Sequence, residues 1–360
     1  MEIPHFNASQ QLNKLNNDEP TNIPFPYEYK PVHPQLHQYR QRSLLFKLIF
    51  KPIITILKPI LLPIRLLLTF TFLFLHSCVT SLCNMGTDQT KPLPKLNRFI
   101  FLCSAKFFCT LATLSQGFIV KTVKKSKETA PVVVLNHRSM IDILMNGLIG
   151  TETIIGKASM TNNFITGPTF NAGRSIKIIK NQSALQIIKD RFESGVKWPA
   201  LTLYAEGTVT SFGVILRLRT GSFRLGLKVQ PVVFNYFYSE PFEWLFETAF
   251  EHLMQAGNNL CGKVEVSYLD PMEQKSGEWP RQFADRVGKA MADEIGSVYV
   301  PYQSEDVYYF NGKGDISKCT EEYLRDYGWM GTLKNYKAMC KKAGLNWRYE
   351  WPKEKFANIE

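Results

Sequence analysis

The sequence has few acidic residues for its size and lacks several short motifs that mark common protein classes. Its 360 residues contain 31 Asp and Glu against 43 Lys and Arg, a formal net charge of +12. The seven cysteines form no CxxC pair, which excludes zinc-ribbon and thioredoxin-type proteins. The absence of a GxSxG run argues against a serine hydrolase. The positive charge instead indicates a polyanionic partner: nucleic acid, an anionic membrane surface or a phosphate-bearing substrate.

The first residues also lack the pattern of a secretory signal. Residues 1–20 contain no apolar run after a basic cluster, so we expect no cleaved leader. Residues 1–43 are polar and interrupted by prolines, which predicts a flexible or surface-wrapping arm. Four cysteines lie in apolar stretches, and this placement is typical of reduced thiols in a protein that faces the cytosol.

An apolar segment with only basic interruptions occupies residues 44–82. Its four charges are Lys47, Lys51, Lys58 and Arg65. On a helix with about 100° per residue they lie within roughly 40° of one another, which suits a helix in the lipid headgroup layer. Prolines at 52, 59 and 63 predict a break. We therefore expect a membrane-embedded hairpin of two helices within residues 44–90, with a buried pair of core helices as the alternative.

A second apolar stretch covers residues 99–120. A lysine, Lys106, lies at its centre, and a charge there is costly inside hydrocarbon. Ser115, Gln116 and Gly117 then separate a helical pattern from a short strand-like run. The pattern predicts a core helix that leads into a sheet, and a transmembrane helix is the alternative.

Short apolar runs alternate with helical patterns from about residue 117 to residue 300. The predicted strands are 118–123, 132–135, 153–156, 176–179, 201–204, 229–234 and 264–268, and the clearest predicted helices are 183–194 and 279–295. This alternation predicts an α/β fold in which helices flank a mixed sheet. Residues 301–360 contain helical and aromatic patterns, from which we predict only packing against the main domain or contact with headgroups.

Two local motifs follow predicted strands. His137 and Asp142 are separated by four residues after the strand 132–135, so the carboxylate can accept from Nδ1–H and leave Nε2 as a base. Glu206, Gly207 and Thr208 follow the strand 201–204, where a glycine turn and a hydroxyl can bind an anion. Arg217 and Arg219 share a face if their segment is extended, which suits phosphate binding.

The order and spacing of these motifs resemble the glycerolipid acyltransferases of the 1-acylglycerol-phosphate acyltransferase type. The runs at 195–208, 216–223, 229–236 and 263–271 resemble the lysophosphatidylcholine acyltransferase branch most closely. The resemblance covers roughly residues 44–300. It implies an acyltransferase domain at 91–300, with a C-terminal helical extension at 301–360.

The resemblance also implies a reaction and a set of site residues. An acyl-CoA-dependent enzyme would esterify the free hydroxyl of a lysophospholipid, of the lysophosphatidate or lysophosphatidylcholine class, with acyl-CoA as co-substrate and without metal or other cofactor. His137 would be the general base and Asp142 its orienting partner. The residues expected to bind the substrate are Asn136, Arg174, Lys180, Glu206, Gly207, Thr208 and Arg219.

Some positions depart from the family pattern. Lys180 stands where an arginine is usual, and it lacks the bidentate fork of a guanidinium, so Arg174 or Lys180 could contact the phosphate. Ala205 replaces a usual proline. We expect no calcium-binding extension of the kind that some relatives have, because no D-x-[DN]-x-[DN]-G run occurs.

The sequence leaves two alternatives to this function. They are glycerol-3-phosphate acyl transfer and a catalytically silent membrane scaffold of the same fold. A nucleic-acid partner is not expected, because much of the basic excess flanks apolar sequence. The resemblance implies the endoplasmic reticulum or another intracellular membrane, with the catalytic domain on its cytosolic face.

Overall fold

A mixed sheet with helices on both faces forms the centre of the molecule. The computed structural model describes residues 51–178, 184–210, 213–238, 242, 248–259, 262–342 and 344, so the predicted arm at 1–43 and Lys180 lie outside the described residues. The helices are α1 (Lys51–Asn84), α2 (Lys95–Ser115), α3 (Ile141–Ile149), α4 (Gly167–Ala172), α5 (Ala184–Glu193), α6 (Ala249–Gly257), α7 (Pro280–Ile295), α8 (Ser304–Phe310), α9 (Glu321–Tyr327) and α10 (Leu333–Lys342). The strands are β1 (Phe118–Lys124), β2 (Val132–Leu135), β3 (Thr153–Lys157), β4 (Ile176–Ile178), β5 (Leu201–Tyr204), β6 (Val214–Leu216), β7 (Val229–Phe237), β8 (Gly262–Tyr268) and β9 (Val298–Val300).

The main sheet has seven strands in the order β1-β8-β7-β2-β5-β3-β4. Strands β7 and β8 pair antiparallel, and the other described pairs in this sheet are parallel. Each of the seven predicted strands corresponds to a strand of this sheet, and α5 and α7 correspond to the two predicted helices. The predicted α/β fold with a mixed sheet is therefore confirmed.

Two apolar cores fill the space between the sheet and its helices. Alternate residues of β2 point to opposite faces, as the pleat of a strand requires. Val132 and Val134 pack with α7, whereas Leu135 packs with residues of α2 and α3. Strand β2, paired with β5 on one side and β7 on the other, is thus buried on both faces.

The first long helix differs from its prediction. Residues 51–84 form one helix of 34 residues that continues through Pro59 and Pro63, and its antiparallel partner is α2 rather than a second helix inside residues 44–90. The two prolines are four residues apart, so they lie on the same, exposed face of α1. The backbone hydrogen bonds that the prolines cannot donate are therefore missing on that face only, and the helix continues through the long apolar run that follows. The predicted break was therefore wrong.

The exposed face of α1 is apolar and its buried face carries polar residues, the reverse of a helix on the surface of a soluble protein. Its exposed face is apolar along about 40 Å of helix, with residues such as Ile60, Leu67, Phe74 and Leu82 exposed by 49–68%. Its buried face carries Thr69, His76, Ser77 and Thr80. Helix α2 also exposes apolar residues, for example Phe99 and Phe107. Both helices are long and apolar enough to cross a membrane, and their outer faces argue against a buried core pair.

Arg65 lies on the same face of α1 as Lys58, as the predicted stripe requires, but it binds the protein itself. Its guanidinium donates from Nη1 to the backbone oxygens of Gly257, at 2.7 Å, and Asn259, at 2.6 Å. These carbonyls are at the carboxyl end of α6, where a helix presents unpaired oxygens and partial negative charge. Gly117 (φ 84°) makes room beside them, because a Cβ there would overlap the oxygen of Asn259. Arg65 therefore attaches the long helix to the α/β domain.

We expect Arg65→Met to lower the stability of the protein by about 1–3 kcal/mol, because two half-buried carbonyl oxygens would lose a charged donor. The measurement is the midpoint of thermal unfolding in detergent micelles. Lys106→Met is the control, since Lys106 lies on the exposed face of α2. An equal loss of stability in both variants would contradict the anchoring role of Arg65.

The C-terminal helices form a third core against the small sheet of β6 and β9, which the sequence did not predict. Parallel pairing joins Val214 to Val298 and Leu216 to Val300. Tyrosines and other apolar side chains of α8, α9 and α10 pack on these strands. The predicted packing of this segment against the main domain is confirmed for the part of it that the structure describes.

Candidate active site

The two sequence motifs meet because their strands are neighbours. Strands β2 and β5 run parallel, and Leu135 lies opposite Tyr204 in the register. The residues that follow each strand therefore emerge at the same edge of the sheet. His137 and Glu206, each two residues beyond that pair, are joined by a hydrogen bond of 2.9 Å from the His137 backbone N–H to Glu206 Oε1.

His137 is held by Asp142 in the orientation that a general base needs. Nδ1 lies 2.8 Å from Asp142 Oδ2, and the histidine side chain is 19% exposed while the aspartate is fully buried. Because the carboxylate oxygen also accepts two backbone N–H groups, Nδ1 is the donor of this bond. None of the described residues hydrogen-bonds to Nε2. The predicted pairing of His137 with Asp142 is thus present.

The chain folds around the carboxylate of Asp142 at the start of α3. Oδ2 accepts from the backbone N–H groups of Arg138, at 2.6 Å, and Ser139, at 2.9 Å. Oδ1 accepts a short hydrogen bond from the hydroxyl of Tyr236. Four donors therefore compensate the buried charge and fix the side chain. The same bonds set the turn that carries His137.

Two tyrosines complete the surroundings of the pair. The ring of Tyr204 stacks on the ring of His137 with 4.2 Å between centroids, and its hydroxyl donates to the backbone oxygen of Asp142 at 2.9 Å. Burial, followed by the charge of Asp142, raises the pKa of Tyr204 and of Tyr236 well above the usual tyrosine value. Both phenols are therefore hydrogen-bond donors across the physiological pH range. The sequence analysis missed both roles, since a tyrosine in an apolar strand gives no distinguishing signal.

Glu206 lies under the site rather than in it. The carboxylate is fully buried and accepts from the Leu216 backbone N–H at 2.9 Å and from Arg138 Nη1 at 3.1 Å. The hydroxyl of Thr210 donates to Glu206 Oε2, the oxygen that also accepts from Leu216, at 3.1 Å. With both oxygens engaged by the protein, Glu206 connects the two motifs and positions His137. Contact with a phosphorylated acceptor, as predicted, does not fit this location.

Asn136 has a similar supporting role. Its amide donates to the backbone oxygen of Phe234 at 2.9 Å and accepts from the backbone N–H of the same residue at 2.8 Å. The buried side chain thereby continues the pairing of β2 with β7 by one step. Since both ends of the amide bind backbone, Asn136 holds the loop in place and does not face the substrate.

Gly207, Thr208 and Arg219 form the partly exposed rim next to the pair. Gly207 has a φ of 76°, and a Cβ at this position would overlap the guanidinium group of Arg219. The Arg219 side chain therefore lies directly on the turn, half exposed. No described residue hydrogen-bonds to the hydroxyl of Thr208, which is partly exposed. Binding of an anion by these three residues stays a prediction.

Arg174 is engaged elsewhere. Its guanidinium donates to the backbone oxygen of Lys91 at 2.8 Å, to Asn84 Oδ1 at 2.7 Å and to Thr87 Oγ1 at 3.0 Å. These acceptors belong to the connection between α1 and α2, and Arg174 itself is buried. Its donors are thus used to hold the hairpin, which leaves Lys180 as the predicted phosphate ligand of that block.

A buried histidine from α6 supports the loop from the other side. His252 Nε2 accepts from the backbone N–H of Met140 at 3.2 Å and lies 2.9 Å from the hydroxyl of Ser139. The sequence analysis missed this residue, because a single histidine in an amphipathic helix reads as a core residue. Its bonds reach the motif across more than 110 residues of sequence.

Comparison with known proteins shows which family the segment around these motifs resembles. Residues 118–235 match the family model of the acyltransferases. The matched segment contains His137, Asp142 and Glu206 and ends within β7. The resemblance that the motifs predicted is therefore confirmed for this segment, which matches the acyltransferase family model.

Several similar proteins have names that are more specific than that of the family model. The chain is 24% identical to lysophosphatidylcholine acyltransferase of Drosophila melanogaster over 282 residues, which is 73% of this chain and 52% of that protein. It is 25% identical to human lysophosphatidylcholine acyltransferase 2 over 291 residues, or 76% and 53% of the two chains. The chain thus spans about half the length of these relatives. The crystal structure of the 1-acyl-sn-glycerophosphate acyltransferase PlsC of Thermotoga maritima has a TM-score of 0.49 and 18% identity, and the match covers 69% of this chain and 99% of PlsC.

Proposed function

We propose that the protein is an acyl-CoA-dependent acyltransferase that esterifies the free hydroxyl of a lysophospholipid in phospholipid synthesis or remodelling. The observation that carries this proposal is the hydrogen bond between His137 Nδ1 and the buried Asp142, with the ring partly exposed and Nε2 without a described partner. The names of the relatives support a lysophospholipid as the acceptor.

The chemistry requires one base and an activated acyl donor. His137 Nε2 takes the proton of the acceptor hydroxyl as the oxygen attacks the thioester carbonyl carbon. A carbon–oxygen bond forms, the carbon–sulfur bond breaks, and the sulfur of CoA receives the proton from His137. Asp142 stabilises the imidazolium that exists between these steps. The donor is already activated as a thioester, so we propose a reaction without metal or other cofactor.

The rim of the site supplies groups for the acceptor's phosphate. Thr208 offers a hydroxyl and Arg219 a guanidinium at the Gly207 turn. Lys180, which lies outside the described residues, is the second cation that we propose for this role. Glu206 precedes the Gly207 turn and accepts a hydrogen bond from the backbone N–H of His137, so the turn and the histidine are neighbours. We therefore propose that an acceptor whose phosphate binds at the turn presents its hydroxyl to His137.

We propose that the outer face of the hairpin of α1 and α2 is embedded in one leaflet of an intracellular membrane, with the catalytic domain on the cytosolic side. Helix α1 contacts the domain near its middle, where Arg65 binds the end of α6, and toward its carboxyl end, where Ser77 donates to the backbone oxygen of Phe164 at 2.8 Å. A helix attached to a polar domain at separate points along one side favours lying in the membrane surface over crossing the bilayer. Such a surface gives the site access to acceptors and acyl chains that partition into lipid.

Leu67→Glu should weaken membrane binding by roughly tenfold or more, because a carboxylate on this face would enter hydrocarbon. Cosedimentation with vesicles that contain anionic lipid measures the effect. Val196→Glu is the control, because this exposed residue precedes β5, at the sheet edge opposite the candidate site. If both variants bind vesicles like the unchanged protein, the membrane-facing role of α1 is wrong.

The function is tested with labelled acyl-CoA and a panel of acceptors in detergent micelles. The panel contains lysophosphatidate, lysophosphatidylcholine, lysophosphatidylethanolamine and glycerol 3-phosphate, with His137→Ala as the blank. We expect labelled phospholipid with at least one lysophospholipid. Transfer to glycerol 3-phosphate alone would replace the proposed acceptor class, and no transfer by a membrane-bound protein would favour the silent scaffold.

A further inference from the structure

A tyrosine outside the two sequence motifs donates to the aspartate that orients His137. The hydroxyl of Tyr236 binds Asp142 Oδ1, while Oδ2 of the same carboxylate lies 2.8 Å from His137 Nδ1. Tyrosine, aspartate and histidine therefore form one continuous row of hydrogen bonds that ends at the histidine Nε2. Tyr236 follows directly after the last residue that matches the family model, so this row reaches beyond the matched segment.

The sheet fixes the position of Tyr236 independently of the loop that carries His137. Strand β7 continues past the last pair that it forms with β2, and Tyr236 there pairs with Val264 of β8. Its ring packs edge-on against Phe118 and Phe242, with centroid distances of 6.3 and 5.7 Å. The phenol is thus held by parts of the chain that are distant from the motif, and it presents a fixed donor to the carboxylate.

The phenol is distinguished from the other tyrosine of the site by the atom that it binds. Tyr204 donates to the backbone oxygen of Asp142, whereas Tyr236 donates to its carboxylate. Within the described part of the chain, the carboxylate otherwise accepts from His137 and from two backbone N–H groups. Tyr236 is therefore the one described side chain, besides the histidine itself, that hydrogen-bonds to this charge.

The neighbouring charged and titratable groups have protein partners of their own. The guanidinium of Arg138 lies 3.1 Å from the buried carboxylate of Glu206, so these two charges compensate each other. His252 of α6 accepts a backbone N–H of the loop through Nε2, so this nitrogen carries no proton. The hydrogen bond from Tyr236 is thus a separate influence on the charge of Asp142.

A donor on the carboxylate changes how strongly His137 holds a proton. The negative charge of Asp142 stabilises the imidazolium form of the histidine. A phenol that donates to the carboxylate also stabilises this charge, so the carboxylate gains less from a protonated ring beside it. With the phenol in place, the histidine should therefore stay unprotonated, and able to act as a base, down to a lower pH than without it.

We propose, on the basis of the proposed acyltransferase function, that Tyr236 is a positioning residue that sets the strength of the base through Asp142. The side chain is buried, so it acts on the carboxylate and not on the substrate. Its hydroxyl holds the carboxylate in place and limits its pull on the histidine proton. His137 then has Nε2 free of a proton over a wider range of pH.

Two changes at this position should move the pH profile of acyl transfer in opposite directions. Tyr236→Phe removes the donor, and we expect the acidic limb of kcat/KM to move up by about half a pH unit or more, the effect of part of one hydrogen bond to a charged group. Replacement of Tyr236 by 3-fluorotyrosine makes the phenol a stronger donor, so the limb should move down. Tyr299→Phe removes a phenol that donates to the carboxylate of Asp285 at 2.7 Å, and as the control it should leave the limb unchanged.

The ring of His137 provides a second readout that needs no acyl transfer. Nuclear magnetic resonance of protein labelled with carbon-13 at histidine Cε1 follows the protonation of each ring as the pH is changed. The signal that is absent from His137→Ala identifies the ring of interest. We expect the midpoint of this signal to move up in Tyr236→Phe and down in the fluorotyrosine protein.

The outcomes separate this inference from the function on which it rests. Unchanged midpoints in a folded Tyr236→Phe protein would overturn the inference, since a purely structural role lowers the rate at every pH without moving the profile. If Tyr236→Phe does not fold, the fluorotyrosine protein decides alone, and an unchanged midpoint there overturns the inference as well. Absence of acyl transfer at every pH, together with the expected shifts in the His137 signal, would overturn the proposed function and support the coupling of Tyr236 to His137.

Discussion

His137→Ala is expected to lower the rate of acyl transfer by about a thousandfold, the middle of the range for removal of a general base. Nε2 is the basic atom that the geometry presents, and alanine leaves nothing in its place. The substitution should not unfold the protein, because the side chain is partly exposed and Asp142 keeps its bonds to the backbone of Arg138 and Ser139. Initial rates with saturating acyl-CoA and lysophospholipid provide the measurement.

Asp142→Asn is the matched comparison for this variant. The amide removes the negative charge that stabilises the imidazolium, and its Nδ2 group cannot accept from the donors that now surround the carboxylate. We expect a large loss of rate together with a lower unfolding temperature, whereas His137→Ala loses rate alone. A folded, membrane-bound His137→Ala protein that keeps a tenth of the original rate would contradict the role of His137 as base.

The second large effect is on stability. We expect Arg138→Met to lower the free energy of unfolding by about 3–5 kcal/mol, because it leaves the carboxylate of Glu206 buried without its cation. Both side chains are at most 1% exposed, and Arg138 also contacts the hydroxyl of Thr210. The loop that carries His137 would lose its support as well, so activity should fall with stability. Thermal or denaturant unfolding in detergent measures the change.

A double variant shows whether the uncompensated charge causes this loss. Arg138→Met with Glu206→Gln removes both charges, and we expect it to be more stable than Arg138→Met alone. Lys124→Met is the surface control, since the pair of Lys124 and Glu294 at 2.8 Å is partly exposed and should cost less than about 1 kcal/mol. Equal destabilisation by Arg138→Met and Lys124→Met would show that the buried pair has no special role.

The parts of the fold that depend on local pattern were predictable. Strands β2 and β5 have the predicted bounds, because short apolar runs between turn residues define strands well. The pairing of His137 with Asp142 was also predictable. The two residues are five positions apart across a strand-to-helix turn, which allows few arrangements of their side chains. The neighbouring positions of β2 and β5 were not predicted, because pairing between distant strands leaves no local signal.

The remaining features depend on partners that are distant in sequence. Helix α1 continues through Pro59 and Pro63 because the prolines share an exposed face, a condition that composition does not reveal. Arg65 and Arg174 looked like ligands for phosphate, yet they bind carbonyl and amide oxygens 192 and 90 residues away. An arginine's partner is decided by tertiary packing, so the type of residue alone could not distinguish anchor from ligand.

The same reasoning applies to the supporting residues of the site. Tyr236 and His252 reach the motif from β7 and α6, and Glu206 was predicted at the right turn but with the wrong partner. A buried carboxylate needs several donors, and only the folded structure shows that the protein itself supplies them. The sequence thus predicted the pair of His137 and Asp142 better than the residues that hold this pair.

The central claim is that His137 drives transfer of an acyl group from CoA to a lysophospholipid hydroxyl. Simultaneous measurement of released CoA thiol and of labelled phospholipid in the purified protein tests it most directly. We predict that one thiol appears for each phospholipid formed, that release of thiol requires the acceptor, and that both signals vanish in His137→Ala. Thiol release without an acceptor, or equal product formation by His137→Ala, would contradict the claim.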